Sequence, residues 1–198
     1  MDFAVVAAMV AFAFAAAASP GPNNTVLITL SATFGWRGSR GHLMGMVLGL
    51  GAMVLAVGSG LGAFFLAFPV VYDVLKYVGF AFIVYMAWGI FRSRVPQAGQ
   101  LEGVPIGWWK STLFQWVNPK AWIVIATYVT AYMPSEAGLG IIAVSAVLFV
   151  AVTLPGALLW VAGGRLVALF LTRPQAHRVF TTVMALALIA SMVPVLFL

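Results

Sequence analysis

The stretch ASPGPNNTV, Ala18 to Val26, interrupts a run without a charged side chain that extends from Phe3 to Trp36. Two prolines, a glycine and two asparagines stand where the flanking residues would otherwise continue an apolar helix. Proline cannot donate a backbone hydrogen bond and drives the residue before it out of helical conformation, so a helix must break here. The solvent around that break is set by composition. The 198 residues are 64% hydrophobic and 7% charged, with a mean hydropathy of +1.10, far from a soluble globular domain. The fold class expected is an all-α integral membrane protein.

Composition also excludes several chemistries. There is no cysteine, hence no disulfide framework and no thiolate site. His42 and His177 are the only histidines and there are four acidic residues, so neither a metal cage nor a cofactor is expected. The net charge of +6 is scattered singly between apolar runs, which reads as membrane orientation rather than nucleic-acid binding. Residues 3–19 end in AAAAS and mimic a signal peptide. Their leading end carries Asp2 and no Lys or Arg, the wrong sign for one, and the segment reads as a retained helix.

A hydrocarbon core about 30 Å thick takes roughly 20 apolar residues per helix. Six apolar runs meet that need: 4–34, 43–68, 71–91, 108–132, 139–162 and 179–197. The breaks between them are GWRGSRGH, FPVVYD, RSRVPQAGQLEGVPIG, MPSEAG and RLVALFLTRPQAHR, marked by Gly, Pro or charge. Residues 1–91 form one three-helix unit, 92–107 a cytoplasmic loop and 108–198 a second unit of a single membrane domain. Arg37, Arg40, Arg92, Arg94, Lys110, Arg165, Arg173 and Arg178 all follow odd-numbered runs, against a single Glu102. Lys76 is the one cation of the opposite side, with Asp2, Asp73 and Glu136. Because Lys and Arg are retained in the cytoplasm, both termini are expected outside it.

Lys120 fits neither side. It belongs to QWVNPKAW, Gln115 to Trp122, in the middle of the fourth run. A helix entering near Trp109 reaches Asn118 after roughly 13 Å, near the bilayer midplane. An ammonium there must face protein or water, and Pro119 breaks the helix beside it. The first helix of each half is thus expected to be broken. Gly41 and Gly138 each fall nineteen residues after Pro22 and Pro119, before the second helix of either half. A three-span unit must be inverted relative to its copy, and paired broken helices point to two inverted three-helix repeats with a binding site between them.

A break in the bilayer exposes amides at the start of one half-helix and carbonyls at the end of the other, tolerable only around a cavity or ligand. Asn23, Asn24 and Thr25 are expected to cap and line the amide end, which suits an anionic group. The carbonyls of Ala16 to Ser19 can accept from an ammonium. A small zwitterion fits both ends. The glycine-spaced face Gly41, Gly45, Gly49 reads as close packing, against the first helix. Trp36, Trp88, Trp108 and Trp109 read as interfacial anchors, Trp116, Trp122, Tyr128 and Trp160 as deeper residues, and Pro155 as a bend in the fifth helix.

SPGPNN, GWRGSRGHLMGMVLGLG and QWVNPKAW together resemble the LysE-type amino-acid exporter superfamily, most of all its homoserine, threonine, cysteine and O-acetylserine branch. The resemblance covers essentially the whole chain. It implies a multi-pass protein of the bacterial inner membrane that exports small amino acids by proton antiport, built as inverted repeats that form a homodimer. By motif position, Pro20, Gly21, Pro22, Asn23 and Asn24 match the first signature, and Asn118, Pro119 and Lys120 the second. These are the expected substrate-binding residues. No carboxylate lies deep in any run, unlike the basic-amino-acid exporters, so a neutral substrate is favoured. Lys120, the one deep ionisable group, is the coupling candidate. It either pairs with the substrate carboxylate or alternates between proton and substrate. An exporter of basic amino acids or cations is the alternative within transport, but would want buried carboxylate, His or thiolate ligands. An intramembrane enzyme would need a nucleophile or carboxylate pair, and no HExxH or Ser-His pairing is present, so no enzyme is expected.

Overall fold

A computed structural model of the protein describes residues 2–61, 69–93, 106–134, 136–191 and 193. Arg94 and Glu102, used above for orientation, lie outside them, as does most of the loop expected at 92–107. The described residues form seven α-helices and a π-helical turn, with no strand among them. These are α1 (Phe3–Ala18), α2 (Pro22–Ala56) running into the π turn Val57–Leu61, α3 (Pro69–Phe91), α4 (Trp108–Val117), α5 (Pro119–Tyr132), α6 (Leu139–Ala168) and α7 (Pro174–Ala190).

Both breaks follow from proline. Ser19, ahead of Pro20, is extended at φ −71°, ψ 140°, and Asn118, ahead of Pro119, at φ −90°, ψ 107°. Pro22 and Pro119 each open the next helix, where the missing amide costs nothing. Asn118 caps α5, its Oδ1 accepting from the Lys120 amide at 3.2 Å.

α2 is not one straight rod. Gly35 lies inside it at φ 65°, ψ −160°, left-handed backbone that glycine adopts without steric cost. A Cβ on Gly38 would lie 3.4 Å from the Leu30 carbonyl oxygen, whereas eight residues of straight helix span about 12 Å. The chain therefore doubles back at Gly35, giving a first limb of residues 22–34 and a second of 36–56. The first limb covers roughly 20 Å, so it matches the hydrocarbon core only in tandem with α1. One expectation is corrected here. The second helix was placed from residue 43, with Gly41 before it. Because one glycine makes the whole reversal, residues 36–42 are already helical, and Gly41 lies within a helix while Gly138 is the residue preceding α6.

The glycine face is corrected too. Gly41, Gly45 and Gly49 pack on the start of α4 and the residues before it, not on the first helix. A Cβ on Gly41 would come 2.8 Å from the Ile106 carbonyl oxygen, and one on Gly45 would overlap that of Trp108. α4 offers Ser111, Thr112 and Gln115 to this face, and Thr112 Oγ1 donates to the Gly45 carbonyl at 3.2 Å. Bare backbone opposite short polar side chains gives them acceptors, which α1, without a polar residue, could not use.

Two apolar clusters result, each drawing on both halves of the chain. Met9 and Ala13 of α1, Met53 of the second limb, Ile125 and Tyr128 of α5 and Phe149 of α6 form one. Val26 and Leu30 of the first limb, Ile83 of α3, Phe114 of α4 and Leu188 of α7 form the other. α6, with Pro155 inside it, packs most extensively on α2. Ser31 Oγ donates across that contact to the Val161 carbonyl at 2.6 Å. α2 with its π turn and α6 are each long and apolar enough to cross a membrane, and α1 and residues Tyr77–Phe91 of α3 are shorter apolar helices.

Candidate functional site

In a low-dielectric interior every freed backbone group needs a partner. At the first break Ser19 donates from its amide to Ala15 O at 2.9 Å and from its hydroxyl to Ala16 O at 2.9 Å. Asn24 Nδ2 reaches back to Ala17 O at 2.9 Å and Ser19 O at 2.6 Å. The last acceptors are taken from across the molecule. Lys120 Nζ donates to Ser19 O at 2.9 Å, Ser19 Oγ at 2.8 Å and Pro20 O at 2.8 Å. A cation thus sits on the negative end of α1.

Gly21 makes that approach possible. Its φ of 171° is extended backbone open to any residue. A Cβ, however, would stand 2.8 Å from Lys120 Cδ and 2.9 Å from Nζ. Space for the lysine, not backbone freedom, is what glycine supplies.

The second break is closed without a charge. The Asn118 amide donates to Gln115 O at 3.2 Å, Trp122 Nε1 donates to Trp116 O at 2.7 Å, and the backbone of Gly79 on α3 covers the Val117 carbonyl so closely that a Cβ there would overlap it. The breaks are joined by an amide pair: Asn23 Nδ2 donates to Gln115 Oε1 at 2.7 Å, and Gln115 Nε2 returns a bond to Asn23 Oδ1 at 3.0 Å.

Between the breaks lies a cavity that is partly open to the outside. Gly21, Asn23, Asn24, Asn118 and Lys120 line its polar side, and Met46, Leu50, Val124, Phe149, Thr153 and Ala157 are among the residues that line the rest. Five of the eight expected site residues thus share one cavity. Pro20 contributes its carbonyl to Lys120, whereas Pro22 and Pro119 set the helix starts and do not line the space. Among the described residues Lys120 is the one ionisable side chain in the lining.

The capping expectation is corrected. No side chain caps the start of α2. Asn24 serves the carbonyl end instead, Asn23 pairs with Gln115, and Thr25 Oγ1 donates to Gly21 O at 3.1 Å. The reason is demand: the carbonyls at the end of α1 are enclosed, and an amide NH₂ can satisfy two of them at once. Gln115 and Thr153 were not among the expected site residues. Gln115 was signalled by its place in QWVNPKAW, an amide in an apolar helix, while Thr153 gave no signal beyond polarity ahead of Pro155.

Apolar helices, two of them broken, around a polar-floored cavity define a membrane transporter. The chain belongs to the LysE type translocator family, whose model matches residues 14–196; it is a transporter rather than an enzyme. It is 31% identical over 153 residues to the cysteine/O-acetylserine efflux proteins of Escherichia coli strain K12, Shigella sonnei strain Ss046 and Shigella flexneri, covering 76% of this chain and 77% of each relative. No solved structure matches significantly.

Proposed function

We propose that the protein exports small neutral amino acids of the cysteine, O-acetylserine, threonine and homoserine kind from the bacterial cytoplasm, by proton antiport. Six spans in two inverted repeats, both termini outside the cytoplasm, carry the transport. One observation bears most of the weight: the carbonyl end of α1 holds an ammonium, that of Lys120, beside the uncapped amide end of α2. A broken helix that seats an ammonium at one end and suits a carboxylate at the other matches a zwitterion.

Lys120 then occupies the seat a substrate amine would take. Facing the cytoplasm, the substrate ammonium displaces Lys120, which gives up its proton there. Facing outside, Lys120 takes a proton, returns to the carbonyls of Ser19 and Pro20, and expels the amine. Among the described residues no other charged side chain lines the cavity, which favours a neutral side chain on the substrate over lysine, arginine or a metal cation. The relatives named for cysteine and O-acetylserine efflux support the same substrate class. The inverted arrangement is supported by the crossed pairing of half-helices: α1 clusters with α5, and the first limb of α2 with α4.

Uptake of a panel of neutral, basic and acidic amino acids into inverted membrane vesicles, with and without a pH gradient, tests this reading. O-acetylserine, cysteine or threonine is expected to accumulate only with the gradient, interior acidic. Preference for lysine, or accumulation indifferent to the gradient, contradicts it.

A further inference from the structure

His42 is completely buried between the second limb of α2 and α4 and does not line the cavity. Its Nδ1 shares a hydrogen bond of 2.9 Å with Ser111 Oγ, and the Phe114 ring lies 5.9 Å away, centroid to centroid. Its Nε2 is buried and has no hydrogen-bond partner among the described residues. Whichever tautomer is present, one ring atom, a donor or a lone pair, is unsatisfied, at a cost that calls for an explanation. The Ser111 carbonyl accepts from Gln115 Nε2 at 2.9 Å, and Gln115 holds Asn23 on the cavity wall. A continuous polar thread, His42–Ser111–Gln115–Asn23, therefore runs from the histidine to the proposed substrate seat.

Among the described residues no opposite charge meets this ring. On its own helix Arg37 and Arg40 are exposed. On α4, Lys110 turns outward to the Tyr85 hydroxyl at 3.4 Å. On α6 Arg165 is exposed, on α7 His177 is buried with its own Nε2 unpartnered, and on α5 Lys120 is bound to Ser19 and Pro20. Asp2 and Glu136 are exposed. A protonated imidazole would place both N–H donors here with one acceptor at most, so the arrangement accepts only the neutral ring. A conformation in which α2 and α4 parted, admitting water to Nε2, would accept the proton. A ligand that binds one of two conformations shifts the balance between them.

The geometry points to His42 as a second proton-binding residue of the transport cycle: neutral, it locks α2 against α4; protonated, it favours their separation and, through Ser111 and Gln115, releases Asn23. The inference rests on the exporter reading above, since it assigns a further role in the same cycle.

The test is counterflow of labelled O-acetylserine in vesicles holding the purified full chain, at equal pH on both sides, from about pH 5 to 8, the range in which histidine titrates. The wild-type rate is expected to change at least about fivefold across that range. His42→Asn, which keeps an amide beside Ser111 but cannot take the proton, is expected to remain active and vary less than about twofold. An unchanged midpoint and amplitude in the variant, or a wild-type rate flat across the range, overturns the inference and leaves the exporter reading standing. Absence of counterflow by the wild type for every amino acid overturns the exporter reading itself. Should His42→Asn not fold, Ser111→Ala removes one oxygen and leaves the histidine. Its profile midpoint is expected to move by about half a pH unit or more, and an unmoved midpoint overturns the inference.

Discussion

Replacing Gly21 with alanine separates the lysine seat from everything else at the first break. The new methyl would stand 2.8 Å from Lys120 Cδ and 2.9 Å from Nζ, against the roughly 3.5–4.0 Å of ordinary contact. The lysine end must therefore retreat by about 0.6–1 Å. Its three bonds, at 2.8 to 2.9 Å, cannot all survive that shift, because N–H···O bonds fade beyond about 3.2 Å. A hydrogen bond to a charged group contributes about 1.5–3 kcal/mol, and the lower end applies to a half-exposed lysine. The expected loss is about tenfold in kcat/KM for pH-driven uptake, since about 1.4 kcal/mol is one decade. At φ 171° alanine adds no backbone strain, so the melting temperature is expected to fall by no more than about 3–6 °C, the shift that about 1.5 kcal/mol makes in a chain of this size. Vesicle uptake and a melting curve on the same preparation decide the matter. Wild-type uptake by the alanine variant refutes the reasoning. So does lost uptake explained by a comparable loss of stability.

Lys120→Gln keeps a donor near Ser19 and Pro20 but carries no proton. It is expected to retain equal-pH exchange at a reduced rate and to lose accumulation driven by a pH gradient, read in the same vesicles. Gln115→Leu strips Asn23 of both amide bonds, and leaving a partly buried polar group unpaired costs about 1–3 kcal/mol, so a melting temperature lower by about 3–9 °C is expected in thermal unfolding. His177, in the first turn of α7 and outside the sixth apolar run, is buried with Nε2 unpartnered among the described residues, and burial pushes its pKa below the ordinary histidine range. The fold favours the neutral ring, so its full stability is present above about pH 6.5, the unfolded value, and declines as pH falls toward the folded one. Melting at about pH 5.5 and 7.5 is expected to differ in the wild type and less in His177→Gln.

The breaks were legible because proline acts on its immediate neighbours: Pro20 and Pro119 dictate the conformations of Ser19 and Asn118 without reference to the rest of the fold. What the flanking side chains do was not legible. Asn24 turns back toward Ala17 and Ser19 because those carbonyls are enclosed, a fact of packing. The partner of Gln115 lies 92 residues away and the acceptors of Lys120 about a hundred, beyond any local pattern. The Gly41, Gly45, Gly49 face was recognisable as a packing surface from its spacing, but its partner depended on which helix offered short polar side chains. Gly35 was one of three glycines in its stretch, and only the fold shows which one reverses the chain.

The central claim is that a small neutral amino acid sits between the two helix breaks. The chain has no cysteine, so Val124→Cys, on the cavity wall one helical turn after Lys120, introduces a single thiol. Its rate of modification by a small, membrane-permeant thiol reagent is the measurement. O-acetylserine or threonine is expected to slow that rate in a saturable way, and lysine to leave it unchanged. A rate that no amino acid alters, with the reagent still reaching the thiol, contradicts the account.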